Sequence, residues 1–351
     1  MSRFFSKNYS SLVPYVPGEQ PKDLSSFVKL NTNESPFPPS DKALAYAAEN
    51  TRPFNLYSDP ECAELVKQLA NTYGVEPENV LCGNGSDEIL YFAFAAFCSN
   101  DQPAMFADIT YGFYPVFAQM ARVPYKIIPL KEDLSMDLDA FWQNGAAFIA
   151  NPNAPTGIAL SAAEIESFVS AYPDRIVVVD EAYVDFGAES CVELTKKYDN
   201  LLVVQTFSKS RSMAGARLGF AVGNKELIGD LKTLKYSLNP YNINSYTAAL
   251  GVGTLLDQGY TDKNCSVIIE NRQYASEKLK ELGFEMTDSK ANFIFAKHKS
   301  ISGEEIYLKL KENKVLVRHF GLERIKDYNR ITVGSRAQMD SLAAALEKIL
   351  K

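Results

Sequence analysis

The sequence holds 351 residues, 46% apolar and 23% charged, with a net charge of −7, and no stretch approaches the roughly 20 unbroken apolar residues that a membrane span needs. Such a length allows about two or three compact units around a large core, and charges of mixed sign exclude a compositionally disordered chain. The acidic balance argues against sequence-independent binding to nucleic acid, and two histidines, His298 and His319, leave little for a histidine metal site or a histidine-based triad.

Residues 1–30 carry Pro14, Pro17, Gly18 and Pro21 and read as an extended N-terminal arm, with Leu12, Val13, Tyr15, Val16 and Phe27 to bury. Asn31–Pro39 is a loop by its Pro, Asn and Ser content. Helical spacing in Glu61–Tyr73 and a short strand at Val80–Cys82 lead into Gly83-Asn84-Gly85, after which Ser86 or Asp87 caps a helix running through Ile89–Cys98. Apolar runs at Ala104–Ala107, Lys126–Leu130, Ala147–Ala150, Ile176–Val179, Leu201–Thr206 and Leu218–Val222 predict strands, with helices at Tyr114–Met120 and Ala162–Ala171 between them. Short apolar strands alternating with helices predict a mostly parallel sheet covered on both faces, in an α/β unit of residues 31–260. Further on, helices are predicted at Asn244–Gln258, Val267–Leu282 and Glu304–Glu312, and strands at Asn292–Ala296, Val315–Arg318 and Arg330–Val333. The last helix carries Met339, Leu342, Leu346 and Ile349 on one face. Residues 261–351 therefore read as a smaller α+β unit that packs with the arm. Cys62, Cys82, Cys98, Cys191 and Cys265 form no C-x-x-C pair, and no apolar segment follows Arg3 and Lys7. Free thiols in a reducing cytoplasm are the expectation.

The stretch Thr206–Phe220 carries the most chemistry. Lys209 follows an apolar strand between hydroxyl residues, with Arg217 eight residues on. A lysine held at a strand end beside other cations acts as a nucleophile toward carbonyls, and Gly215 lets Arg217 fold back to grip a phosphate. Val177-Val-Val-Asp180 ends a buried strand in a carboxylate, at the edge where α/β sheets bind ligands. Its partner is a pyridinium nitrogen, Mg²⁺, or the N–H groups of a helix that it caps. Tyr183, three residues on, reaches the same ligand. Gly83–Glu88 offers helix N–H groups to an anion. Lacking the third glycine of a dinucleotide fingerprint and the Gly-Lys-Ser/Thr of a P-loop, it fits a single phosphate monoester. Asn151-Pro-Asn-Ala-Pro-Thr-Gly157 is a rigid turn that sets amide side chains after a strand.

Together these motifs resemble the fold-type I pyridoxal phosphate enzymes, and within them the histidinol-phosphate aminotransferase family. The matching segments run the length of the chain: Pro14-Tyr15, Lys29–Pro36, Tyr57–Pro60, Gly83–Glu88, Thr110–Gly112, Asn151–Gly157, Asp180–Tyr183, Ser208-Lys209, Arg217, Val317-Arg318 and Arg330–Gly334. The resemblance implies a large cofactor domain, its mostly parallel mixed sheet sandwiched by helices, and a smaller α+β domain. It implies a cytoplasmic homodimer that uses pyridoxal 5′-phosphate in a ping-pong exchange between histidinol phosphate and 2-oxoglutarate, giving imidazole acetol phosphate and glutamate, with no metal, nucleic acid or membrane partner. Lys209 would anchor the cofactor and move the proton between substrate Cα and cofactor C4′. Asp180 would pair with the ring nitrogen, Tyr183 and an asparagine would bond the ring hydroxyl, and Tyr111 would stack on the ring. Backbone groups at Gly85, Ser86 and Asp87, with Thr206, Ser208 and Arg217, would hold the phosphate, joined by Tyr57 from the neighbouring subunit. Arg318 and Arg330 would receive anionic substrate groups, with Tyr15 and Asn33 or Glu34 lining the pocket.

Two positions depart from the family's pattern. Ala154 stands where many members carry an asparagine before Pro-Thr-Gly, so the ring-hydroxyl contact would have to come from Asn153 or be lost. Ser210-Arg-Ser-Met replaces an apolar stretch and puts the charge of Arg211 near the site. Paired arginines also serve carboxylates, so an aromatic amino acid aminotransferase or a threonine-phosphate decarboxylase-like enzyme is the rival within the fold. Outside it, the rival is a non-catalytic nucleotide-binding α/β module with Gly83–Glu88 on phosphates and Asp180 on Mg²⁺. That module leaves the Lys209–Arg217 spacing unexplained.

Overall fold

Short strands that are apolar on both sides hide those sides only between two layers of helices, and this is how the chain is built. The computed structural model describes residues 2–23 and 26–351. In chain order the strands are β1 (Val28–Lys29), β2 (Val80–Gly83), β3 (Ala104–Ala107), β4 (Tyr125–Ile128), β5 (Ala146–Ala150), β6 (Val177–Asp180), β7 (Leu201–Thr206), β8 (Gly219–Gly223), β9 (Phe284–Met286), β10 (Phe293–His298), β11 (Val315–Leu316), β12 (Arg318–His319) and β13 (Tyr328–Thr332).

Seven of them form one sheet in the order β2-β8-β7-β6-β5-β3-β4. Strands β3 to β7 are mutually parallel, and β8 runs antiparallel between β7 and β2. Alternate residues divide the core: Val177, Val179 and Val203 face Ala63–Tyr73, Ala162–Ala171 and Ser245–Leu255. Phe148, Val178 and Val204 face Gly85–Phe97, Tyr114–Ala121 and Lys225–Leu238. This period of two in a sheet buried on both faces is what makes the strands read as unbroken apolar runs. A second, antiparallel sheet has the order β12-β13-β10-β9, and β1 pairs in parallel with β11. Leu30, Ile294, Ile306, Leu310, Val317, Met339, Leu342 and Leu346 join this smaller core. Among the described residues, no helix is long and apolar enough to cross a membrane.

The structure departs from the sequence expectation in four places. The helix Gln258–Glu281 is continuous where a break between 258 and 267 was expected, so the expected boundary at 260 falls inside its first turn. Its first turns bury Thr261 and Asn264 in place of an apolar stripe. Val315–Arg318 is two strands, one paired with β1 and the other with β13. The arm contributes β1 rather than remaining without regular structure. Finally, the helices Asp41–Asn50 and Lys225–Leu238 and the strand β9 were not anticipated.

Candidate active site

In the large sheet the carboxyl ends of β2, β5, β6 and β7 share one edge, so the loops that follow them meet there. The inner part of the cleft at that edge is a cavity of about 270 Å³ bordered by Ser86, Asp87, Tyr111, Asp180, Lys209 and Arg217. An outer part of about 360 Å³ is bordered by Tyr15, Asn33, Thr110, Phe320, Arg318 and Arg330. Thr32, Tyr111, Ala154, Tyr183 and Lys209 border both parts. Neither histidine borders either one.

Asp180, the last residue of β6, is 5% exposed. Its carboxylate accepts from the Tyr114 hydroxyl at 3.0 Å and the Ala182 N–H at 3.2 Å. Two donors do not compensate such a charge: burial pushes the carboxyl from 3.8 up to about 6, with Asp87 adding to the rise, against the two hydrogen bonds and Lys209. Burial also holds the Tyr111 and Tyr114 phenols well above their ordinary range, so both remain donors. The Lys209 amine donates to the Thr32 carbonyl at 3.3 Å and lies 5.8 Å from the centre of the Tyr183 ring.

The helix Gly85–Phe97 starts without a side-chain cap, leaving first-turn N–H groups for an anion. Gly85 has φ 76, and a Cβ there would stand 2.6 Å from Arg217 Nη2; a Cβ on Gly219 would stand 2.4 Å from the Ser86 nitrogen. Glycine at both positions lets Arg217 and β8 close over the turn. Arg217 pairs with Asp87 at 2.9 Å and reaches the Ser208 hydroxyl at 3.5 Å, while Asp87 accepts from Tyr111 at 2.7 Å. Thr206 and Ser208 hydroxyls are 3.0 Å apart.

In the outer cleft, Arg318 and Arg330 are direct cross-strand partners on β12 and β13. Like charges so placed repel. Arg318 donates to the Val16 and Pro17 carbonyls, and Arg330 to the Asn31 carbonyl, while Arg330 Nε is buried without a partner. Tyr15 stacks on Phe113 with centroids 4.2 Å apart. Glu34 borders the inner cavity, paired with Lys29 and accepting from the Thr32 hydroxyl at 2.8 Å.

Two expectations change, those for Asn153 and Arg211. Asn153 is buried, and its amide donates to the Ile109 carbonyl at 2.9 Å and Thr156 Oγ1 at 3.1 Å while accepting from Thr110 at 2.8 Å. It braces the turn and is unavailable to a ring hydroxyl. Arg211, 4% exposed, turns away from the cleft to Asp185 at 3.1 Å and the Tyr73 hydroxyl at 2.9 Å, so its charge is not presented to substrate. Tyr57 is 75% exposed, stacked on Tyr241, and borders neither part of its own chain's cleft. The sequence reading missed Tyr114 as the donor to Asp180; one tyrosine among the aromatics of Tyr111–Tyr114 carries no local mark of that role.

A lysine amine, a buried carboxylate and an uncapped helix start are thus grouped at the end of a mostly parallel sheet. The chain belongs to the class I and II aminotransferases, whose family model matches residues 25–346. More narrowly, it belongs to the histidinol-phosphate aminotransferase family. It is 46% identical to the histidinol-phosphate aminotransferase of Brachyspira hyodysenteriae, with 100% of both chains covered. Its fold is that of the histidinol-phosphate aminotransferase of Clostridium acetobutylicum, with TM-score 0.83 and 22% identity over 92% of this chain and 98% of that one. The Sinorhizobium meliloti enzyme, solved in complex with pyridoxal-5′-phosphate, gives TM-score 0.81 and 24% identity over 92% and 90%.

Proposed function

We propose that the chain is a pyridoxal phosphate-dependent aminotransferase exchanging an amino group between histidinol phosphate and 2-oxoglutarate, with imidazole acetol phosphate and glutamate as products. The carrying observation is the Lys209 amine in one cavity with the Asp180 carboxylate, which lacks a directly bonded cation, and the uncapped helix start beside Arg217. These residues fit the cofactor: an amine for its aldehyde, a carboxylate for its ring nitrogen, and N–H groups, hydroxyls and a guanidinium for its phosphate. When bound, pyridoxal phosphate supplies an aldehyde that condenses with primary amines and a protonated ring that accepts the electron pair released at Cα.

The chain's own residues do the rest. Asp180 would pair with the ring nitrogen and favour its protonated form, and a cation there would favour the charged carboxylate. The backbone N–H groups of Ser86 and Asp87, with Thr206, Ser208 and Arg217, would hold the phosphate end, and Tyr111 would cover the ring. The Lys209 amine would anchor the cofactor and would move the proton at substrate Cα. Arg318 and Arg330 take the substrate's phosphate in one half-reaction and a carboxylate in the other; an anion between them relieves their mutual repulsion. The exposed Phe54, Leu56 and Tyr57 fit a dimer interface that delivers Tyr57 to the partner's phosphate site. Five unpaired, buried cysteines fit a reducing cytoplasm.

The test is the visible absorbance of the purified protein with pyridoxal phosphate and its turnover on a substrate panel. Lys209→Ala should lose the band and at least 10³-fold in kcat, on the scale of removing a catalytic group. Full turnover by Lys209→Ala overturns the cofactor reading. Higher catalytic efficiency on phenylalanine than on histidinol phosphate overturns the substrate.

A further inference from the structure

With Asn153 committed to its own turn and Ala154 offering only a methyl group, the ring-hydroxyl side of the cleft has no amide where one was expected. The amide that does reach this side belongs to Asn33, which is 1% exposed and holds φ 56, a left-handed conformation that asparagine tolerates better than most residues. Every polar function of Asn33 is engaged. Its backbone N–H donates to Thr332 Oγ1, its carbonyl accepts from Asn292 Nδ2, Oδ1 accepts from the Thr332 hydroxyl, and Nδ2 donates to the Tyr183 hydroxyl oxygen, each at 3.0 Å. Thr332 has one hydroxyl hydrogen and gives it to Oδ1, which leaves the NH₂ end of the amide toward Tyr183.

That direction decides what Tyr183 does. Its oxygen accepts from Asn33, so its own hydrogen turns elsewhere, and among the described residues no acceptor takes it. The space left to that hydrogen is the cleft, both parts of which Tyr183 borders together with Ala154 and Lys209. Packed edge-on against Phe293 at 5.1 Å, the ring has little freedom to turn the hydroxyl away. We propose that Asn33 is a positioning residue, not a substrate contact. It directs the Tyr183 hydroxyl hydrogen into the cleft, so that Tyr183 alone donates to the cofactor's ring oxygen in a chain that has alanine at position 154. This rests on the pyridoxal phosphate reading above. The charged and titratable groups around Tyr183 are Lys209, Arg330, Asp180, Tyr111 and Tyr114; all are unchanged in the variants below.

The experiment is a pH titration of the bound cofactor's visible absorbance in the holoenzyme, with thermal melting to check folding. A donor to the ring oxygen favours its deprotonated form, so losing the donor moves the midpoint up. Tyr183→Phe is expected to raise it by about one pH unit or more, the size of one lost charge-assisted hydrogen bond. Asn33→Asp, whose carboxylate accepts the Tyr183 hydrogen and draws it out of the cleft, should approach the same shift. Asn33→Ala should move less in the same direction, and Asn33→Ala with Tyr183→Phe should titrate like Tyr183→Phe alone. If Asn33→Asp does not fold, Thr332→Val frees the amide to rotate and should raise the midpoint as well. A normal wild-type titration with unmoved Asn33 and Thr332 variants, or shifts that add in the double variant, overturns this inference alone. A wild-type protein with no visible band overturns the cofactor reading and this inference together.

Discussion

Replacing Asp180 with asparagine should make the cofactor-free protein more stable at neutral pH while depriving it of activity. In the folded chain burial lifts this carboxyl from 3.8 to about 6. Between those values the folded state holds a proton that the unfolded state has released. Stability is therefore full below about pH 4 and falls as pH rises to about 6. At about 1.4 kcal/mol per pH unit, the loss above that window is about 3 kcal/mol. Asparagine carries no charge to desolvate, and its amide can still meet the Ala182 N–H and the Tyr114 hydroxyl. The assay is urea unfolding of both cofactor-free proteins between pH 5 and 8. Asp180→Asn should gain about 3 kcal/mol over wild type at pH 8 and about half that at pH 5. The neighbouring Glu181, raised to about 7 by burial, slopes both curves alike and cancels in the difference. Added pyridoxal phosphate should stabilise wild type more than the variant, since only a carboxylate gains from the ring cation. A variant that is less stable than wild type at pH 8, or a difference that ignores pH, would refute the idea that this charge is held at a cost.

Gly85→Ala forces a Cβ into a left-handed position 2.6 Å from Arg217 Nη2; it should cost about 1–2 kcal/mol and weaken cofactor retention, and an unchanged urea midpoint with unchanged cofactor affinity would count against the cradle. Arg211→Met removes the buried partner of Asp185 and Tyr73 and should destabilise by about 3 kcal/mol. Because Arg211 faces away from the cleft, KM for both substrates should stay within about twofold of wild type; a selective rise in either would restore it to the site.

The legible parts of this chain were those where one local rule governs. Leu201–Thr206 and Ala104–Ala107 read as strands because every residue is buried, and their observed bounds match. Lys209, Asp180 and Arg217 stood out because strand ends and glycine turns place them by sequence distance alone. Contacts between distant segments had no such signal. Arg211 looked like a charge beside the site, yet its partners Tyr73 and Asp185 are set by the packing of a helix against a loop. Asn153 and Asn33 are equally polar in sequence; only the positions of Ile109 and Thr332 decide which amide serves its own turn and which reaches the cleft. The mostly polar stretch 258–266 hid a helix whose buried face carries Thr261 and Asn264 beside Cys265.

The pairing of Val28-Lys29 with Val315-Leu316 has a consequence for how the protein comes into being. All seven strands of the large sheet lie between Val80 and Gly223, so that sheet can assemble while the rest of the chain is still on the ribosome. The N-terminal segment cannot: the Thr332 hydroxyl that Asn33 binds lies 299 residues further along the chain, and its strand partner Val315-Leu316 also follows the whole large sheet. Closing so long a loop adds to the wait. The cleft is therefore completed only after the large sheet has been made. The reactive amine of Lys209 stands ready on an early half, but the loop whose Thr32 carbonyl receives it docks only when the final strands arrive.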